Sequence, residues 1–200
     1  MAEEGGGIGK GRLEAFSDGV IAVIITIMVL ELHPPHEASL EALLEVIHPF
    51  FAYVLSFVYV AIYWNNHHHM LQGVDRVDGQ VLWANNFLLF TLSLVPFATA
   101  WMGDTDFALW PTIVYGLVMA LPGSAYFVLA RALVGVEGQD PTLAQAMGRG
   151  IKEWLSLVLY AVGIAGAFIH PYIAFAFYLA VAVMWFIPDR RIETRIAAER

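Results

Sequence analysis

The chain has 200 residues, of which 59% are hydrophobic and 14% charged, and its mean hydropathy is +0.66. Soluble domains run near 45–50% apolar and about 25% charged, so this is a bilayer composition. The absence of cysteine excludes a disulfide scaffold, a thiolate metal site and a cysteine nucleophile, and the net charge of −8 is the wrong sign for nucleic acid.

At about 20 apolar residues per membrane-crossing helix, the length accommodates about six crossings. Apolar stretches occupy Leu13–Leu32, Leu44–Met70, Gln80–Trp101, Leu109–Ala132, Ile151–Ile169 and Pro171–Ile187. Residues 1–200 therefore read as a single all-α transmembrane domain. The first stretch is too long for the apolar core of a signal peptide, lacks a small-residue cleavage site and carries Asp18 near its start. Short polar stretches separate the crossings. Gly135 to Gly150 is the longest and the richest in helix breakers, which predicts a loop between two halves. His48-Pro49 and His170-Pro171 each open a crossing, where proline suits the first helical turn.

Charge fixes the expected orientation. All 10 basic residues (Lys10, Arg12, Arg76, Arg131, Arg149, Lys152, Arg190, Arg191, Arg195 and Arg200) fall on one side under a six-crossing alternation. The opposite loops hold acids such as Glu37, Glu41, Asp104 and Asp106. Cytoplasmic loops carry the Lys/Arg excess, so both termini are expected inside.

Ionisable groups within a crossing are expensive and mark sites. They gather at the cytoplasmic ends of the first three crossings: Arg12 to Asp18, Tyr63 to His69, and Trp83 to Asn86. A buried Asp18 needs partners, and Arg12, Ser17, His67 and Asn85 are available, which predicts one polar network tying these crossings together. Its role is either to fix helix packing or to touch a transported species. His67, His68 and His69 cannot converge on one ion, because helical neighbours point about 100° apart; His67 is expected to face the network.

Projection of the first crossing at about 100° per residue sets Ile27 and Leu30 within about 40° of Val23, with Thr26 beside them. Asp18 falls about 140° away on the same projection, on the side expected to face the subunit interior. From periodicity alone, the aliphatic stripe could equally meet lipid or other helices.

The string Arg12-x-x-x-Phe16-Ser17-Asp18 resembles the opening of the first helix in the Transmembrane Protein 175 family of potassium channels. The similarity continues through Gly19-Val20-Ile21-Ala22 and Thr26 to Leu30-Glu31-Leu32. Trp64-x-Asn66-His67-His68, Trp83-x-Asn85 and Phe90-x-x-Ser93-Leu94-Val95-Pro96-Phe97 also resemble the family's second and third helices. His69 departs from the expected Arg or Lys, and Val23 stands where Ile or Leu is frequent.

The resemblance implies a six-helix subunit that assembles as a homotetramer around a central pore lined by the first helix. Val23, Ile27 and Leu30 would supply narrow aliphatic rings and Thr26 a hydroxyl ring. Arg12, Phe16, Ser17, Asp18, Trp64, His67 and Asn85 would form the supporting polar network. K⁺ would be the permeating ion, the partners would be other copies, lipid and monovalent cations, and no cofactor or resident metal is expected. Six crossings without accessory domains suit a bacterial inner membrane.

The leading expectation is thus a potassium-permeable channel moderately selective over Na⁺. The alternative is a secondary or proton-coupled carrier using Asp18 and His67, although such carriers usually show inverted repeats and the two halves here share little beyond His-Pro. No nucleophile–base pair or metal-ligand spacing supports an enzyme.

Overall fold

The computed structural model describes residues 9–72, 74, 77–136 and 151–186. Among them run eight helices: α1 (Lys10–Leu30), α2 (Leu40–Glu45), α3 (Ile47–Gln72), α4 (Gly79–Ser93), α5 (Val95–Asp104), α6 (Leu109–Val136), α7 (Ile151–Ala167) and α8 (Pro171–Phe186). The described residues contain no strand. Helices answer the apolar sequence because a chain in hydrocarbon must satisfy every backbone N–H and C=O within itself. Four rods are long and apolar enough to span a bilayer: α1, α3, α4 with α5 over Gly79–Asp104, and α6. The apolar part of α7 (Trp154–Ala167) and α8 are shorter.

Several boundaries differ from the sequence expectation, each for a local reason. The second crossing begins at Ile47 rather than Leu44, because Leu40–Glu45 form the separate helix α2. That helix is capped by Ser39, whose Oγ accepts from the Ala42 N–H at 3.1 Å. The third crossing is broken at Leu94 and runs on to Asp104. Pro96 sits in the first turn of α5, where it supplies no N–H and its ring crowds the preceding turn. Just upstream, the hydroxyls of Thr91 and Ser93 donate to the carbonyls of Leu88 and Phe90 at 2.8 and 2.7 Å. α1 stops at Leu30, and α6 continues past Ala132 to Val136. The remainder of the predicted breaker-rich loop, with Arg76, Arg149 and the four C-terminal arginines, lies outside the described residues.

α6 occupies the middle of the bundle, packed against α4, α5, α7 and α8, whereas α1 lies outside against α3, α4 and α5. Gly116 allows α8 to approach α6 closely: a Cβ there would stand 2.1 Å from the Tyr178 hydroxyl oxygen. That hydroxyl donates to the Thr112 carbonyl at 3.1 Å. Nearby, Ser56 Oγ lies 2.7 Å from Thr99 Oγ1 and 3.0 Å from Tyr115 Oη, joining α3, α5 and α6 through buried hydroxyls. Such links satisfy polar groups where lipid and packed apolar side chains offer no alternative.

Candidate functional site

α1 has one narrow inner face, on which Leu13, Ser17, Ile21, Ile24 and Met28 are buried. Their spacing of four, four, three and four residues is that of a single helical stripe. Lys10, Glu14, Val20 and Ile25 flank that face half-buried, and the remaining residues are exposed. Phe16 is 58% exposed, Val23 56%, Ile27 42% and Leu30 70%. Val23, Ile27 and Leu30 share one side, and Thr26 is exposed next to them, its hydroxyl donating to the Ala22 carbonyl at 2.8 Å. Gly11, Ala15, Gly19 and Ala22 form an exposed small-residue strip on the flank.

The polar residues separate into two links, where one network was expected. The buried link runs through Asn85: its Nδ2 donates to Ser17 Oγ at 2.9 Å, and its Oδ1 lies 2.7 Å from His67 Nε2. Ser17 spends its own proton on the Leu13 carbonyl at 2.8 Å, so the amide must present its NH₂ to Ser17 and its oxygen to His67. His67 Nε2 therefore carries a hydrogen. This chain of bonds ties α1, α4 and α3 together.

The second link lies on the surface of the subunit, where Trp64 Nε1 donates to Asp18 Oδ1 at 2.9 Å. Asp18 is exposed, contrary to the expectation that it faces the interior. The inward position belongs to Ser17, one residue and about 100° away. Arg12 is exposed and forms no salt bridge among the described residues, so it is not a partner of Asp18. Phe16 points outward as well. Among the described residues no hydrogen bond joins the Asp18 link to the His67 link. The indole of Trp64 stacks on His68 with ring centroids 6.0 Å apart, and His68 Nε2 lies 2.8 Å from Gln72 Nε2. Lys10 Nζ donates to the Gln72 carbonyl at 3.3 Å, a further tie between the start of α1 and the end of α3. Among the described residues no cluster of ligating side chains suits a metal ion.

Towards the other end of α1, an open groove of about 530 Å³ runs between Ile27 and Glu31 on one side and Ser93, Pro96, Phe97, Ala100 and Trp101 on the other. This groove lies beside the helix break at Leu94 and was not anticipated; Ser93 and Pro96, three residues apart in a mostly apolar run, are the local signal that could have pointed to it.

An all-helical bundle of apolar rods, with an outer helix left mostly uncovered along an aliphatic face, defines an integral membrane protein. Comparison with known proteins is more specific. The family described as Endosomal/lysosomal potassium channel TMEM175 matches residues 12–96, which span α1 to the start of α5. A potassium channel of Chryseobacterium sp. (strain P1-3) is 50% identical over 92% of this chain and 96% of its own length. A potassium channel of Chamaesiphon minutus is 37% identical over 47% of this chain and 49% of its own. The crystal structure of a lysosomal potassium-selective channel TMEM175 homolog from Chamaesiphon minutus aligns with a TM-score of 0.71. That alignment has 28% identity and covers 88% of this chain and 95% of that one.

The chain belongs to the TMEM175 family of potassium channels. Its members are channels rather than enzymes, K⁺ is the permeant ion, and the features to explain are those that admit an ion to a membrane.

Proposed function

We propose that this chain forms a homotetrameric, potassium-permeable channel in a bacterial inner membrane, moderately selective for K⁺ over Na⁺. The subunit has six crossings with both termini cytoplasmic, as the one-sided distribution of its basic residues supports. The first helix of each copy faces a common axis, where Val23, Ile27 and Leu30 form the constriction and Thr26 a hydroxyl ring.

The observation that carries this reading is the uncovered aliphatic face of α1. Among the described residues no helix covers it. A symmetric ring of copies provides both a path and a cover. The small strip of Ala15, Gly19 and Ala22 suits close approach of a neighbouring copy, and a Cβ at Gly19 would meet nothing within 4 Å in the subunit. An aliphatic constriction closes by losing its water, and when it opens slightly it penalises the ion that is costlier to dehydrate. Na⁺ holds its water more tightly than K⁺, so the preference for K⁺ is real but moderate. Because the Thr26 proton is engaged by Ala22, its outward lone pairs are left to face a cation. Ser17, Asn85, His67, Asp18 and Trp64 act as scaffold, holding the cytoplasmic half of the pore helix against α3 and α4.

The test is ion flux from liposomes containing the purified protein. K⁺ efflux exceeding Na⁺ efflux, with Cl⁻ excluded, is expected. Equal K⁺ and Cl⁻ passage, or none, refutes the channel reading.

A further inference from the structure

The groove beside the break at Leu94 is built from two helical stripes. Ile27 and Glu31, four residues apart on α1, form one wall. Ser93, Phe97 and Trp101, spaced by four across the break between α4 and α5, form the other. The rings of Phe97 and Trp101 are both exposed, with centroids 5.9 Å apart and planes inclined by 33°. The volume of about 530 Å³ falls within the range of about 300–1,000 Å³ that small-molecule sites occupy.

The polar groups of the groove are nearly all acceptors. Glu31 caps α1 and is exposed, and among the described residues its carboxylate has no ion pair and no hydrogen bond. Ser93 gives its own proton to the Phe90 carbonyl at 2.7 Å, so its hydroxyl is left to accept. The indole N–H of Trp101 is the one donor among the lining side chains. A second carboxylate, Asp104, lines the crevice that adjoins the groove at Glu31, Pro96 and Ala100. α1 and α5 both end here, at Leu30 and Asp104, and helix C-termini carry partial negative charge. Residues 13–75 and 77–130 contain no Lys or Arg, so the walls bring no fixed positive charge of their own.

We propose that this groove binds a hydrophobic organic ammonium, a protonated amine carried on an apolar and preferably aromatic body. The ammonium N–H groups donate to the Glu31 carboxylate in charge-assisted bonds, and the charge lies against the Trp101 ring. The apolar body runs along Phe97 and Ile27 towards Ser93. An anion would meet one indole N–H beside a carboxylate and is refused. A neutral apolar molecule would use the aromatic wall but take water from the carboxylate without replacing it. A bare hard cation would find one carboxylate and one hydroxyl where such ions take about six or more oxygens. Ile27 is at once a wall of the groove and a member of the proposed constriction, so an occupant touches the pore helix itself. That effect on current rests on the channel reading; binding does not.

The test is isothermal titration of the purified full-length protein in phosphatidylcholine nanodiscs at neutral pH, with empty nanodiscs as reference. The probes are 2-(1-naphthyl)ethylammonium and its uncharged counterpart 2-(1-naphthyl)ethanol. Saturable binding of the ammonium is expected, with the alcohol weaker by about tenfold or more. Glu31→Gln is expected to weaken the ammonium by about tenfold, and Trp101→Leu by about two- to fivefold. Glu37→Gln removes a charge outside the groove and is expected to leave the affinity unchanged. Equal affinity for ammonium and alcohol would mark an apolar cleft suited to lipid and overturns the proposal. So does a parent-like Glu31→Gln, or a Glu37→Gln that weakens binding as much as Glu31→Gln. Absence of saturable binding overturns it too, as it would if a neighbouring copy filled the groove.

In planar bilayers, the ammonium at saturating concentration on the side that carries Glu31 is expected to change the parent's K⁺ current by about twofold or more. The same concentration is expected to have a smaller effect on Glu31→Gln. An unchanged parent current despite saturable binding overturns the link to the pore helix. A parent that conducts nothing overturns the channel reading, while the titration still judges the groove.

Discussion

Asn85 is the residue on which the attachment of α1 can be tested most sharply, because one side chain supplies both bonds of the buried link. Asn85→Ala leaves the His67 Nε2–H without an acceptor in a side chain that is 2% exposed. An orphaned buried donor costs about 1–3 kcal/mol. Ser17 keeps its bond to the Leu13 carbonyl and loses only the donated one, worth about 0.6 kcal/mol on the average for interhelical bonds in membranes. The vacated volume adds about 1 kcal/mol. The expected loss is therefore about 3 kcal/mol, or on the order of 6–12 °C in Tm on the scale for a chain of this length.

The assay is thermal unfolding in detergent, run as a double-mutant cycle with His67→Leu. Replacing both partners by apolar groups removes the orphan, so Asn85→Leu with His67→Leu is expected to recover about 1–2 kcal/mol relative to the sum of the single changes. Strict additivity, or a loss below about 0.5 kcal/mol for Asn85→Ala, refutes the buried link as a fastening of α1.

Val23→Ala and Ile27→Ala each widen the proposed constriction; both are expected to raise single-channel conductance and lower the K⁺/Na⁺ permeability ratio from reversal potentials, and parent-like values in both would remove these residues from the ion path. Gly116→Ala drives a methyl into the Tyr178 ring, so a loss of about 1–3 kcal/mol is expected from thermal unfolding; a neutral result would mean that α6 and α8 can separate at no cost. Trp64→Phe keeps a ring for His68 to stack on but loses the donor to Asp18. Because that pair is solvent-exposed, chemical denaturation is expected to register less than about 1 kcal/mol, well below the effect of Asn85→Ala.

The helical class and the approximate extents of the rods were legible because each rod is an apolar run bounded by polar or helix-breaking residues. The break at Leu94 was not, since Phe90 to Phe97 stays mostly apolar and a proline in such a run reads as a tolerated kink. The choice between Ser17 and Asp18 as the inward residue was lost for a related reason. In α1 nearly every neighbour is apolar, so periodicity barely distinguishes the faces, and the charge on Asp18 drew the reading to the wrong side by one residue. His67 and Asn85 were recognisable as members of a network because polar side chains at one depth in adjacent crossings have few other partners. The hydrogen bonds of His48 reach Asp106 and Tyr172, 58 and 124 positions away, which only the folded chain brings together.

The fastening of α1 is lopsided. Lys10, Ser17 and Asp18 are all bonded to other helices, whereas from Gly19 to Leu30 no side chain of α1 hydrogen-bonds to another element among the described residues. The helix is a lever pivoted near Ser17, with Val23 about 9 Å and Leu30 about 20 Å along it at 1.5 Å per residue. A tilt of about 5° about that pivot carries Val23 by less than about 1 Å and Leu30 by nearly 2 Å. Small rocking of the rod thus moves Leu30 about twice as far as Val23, so in the proposed pore the aperture at Leu30 would be the adjustable one and that at Val23 the nearly fixed one.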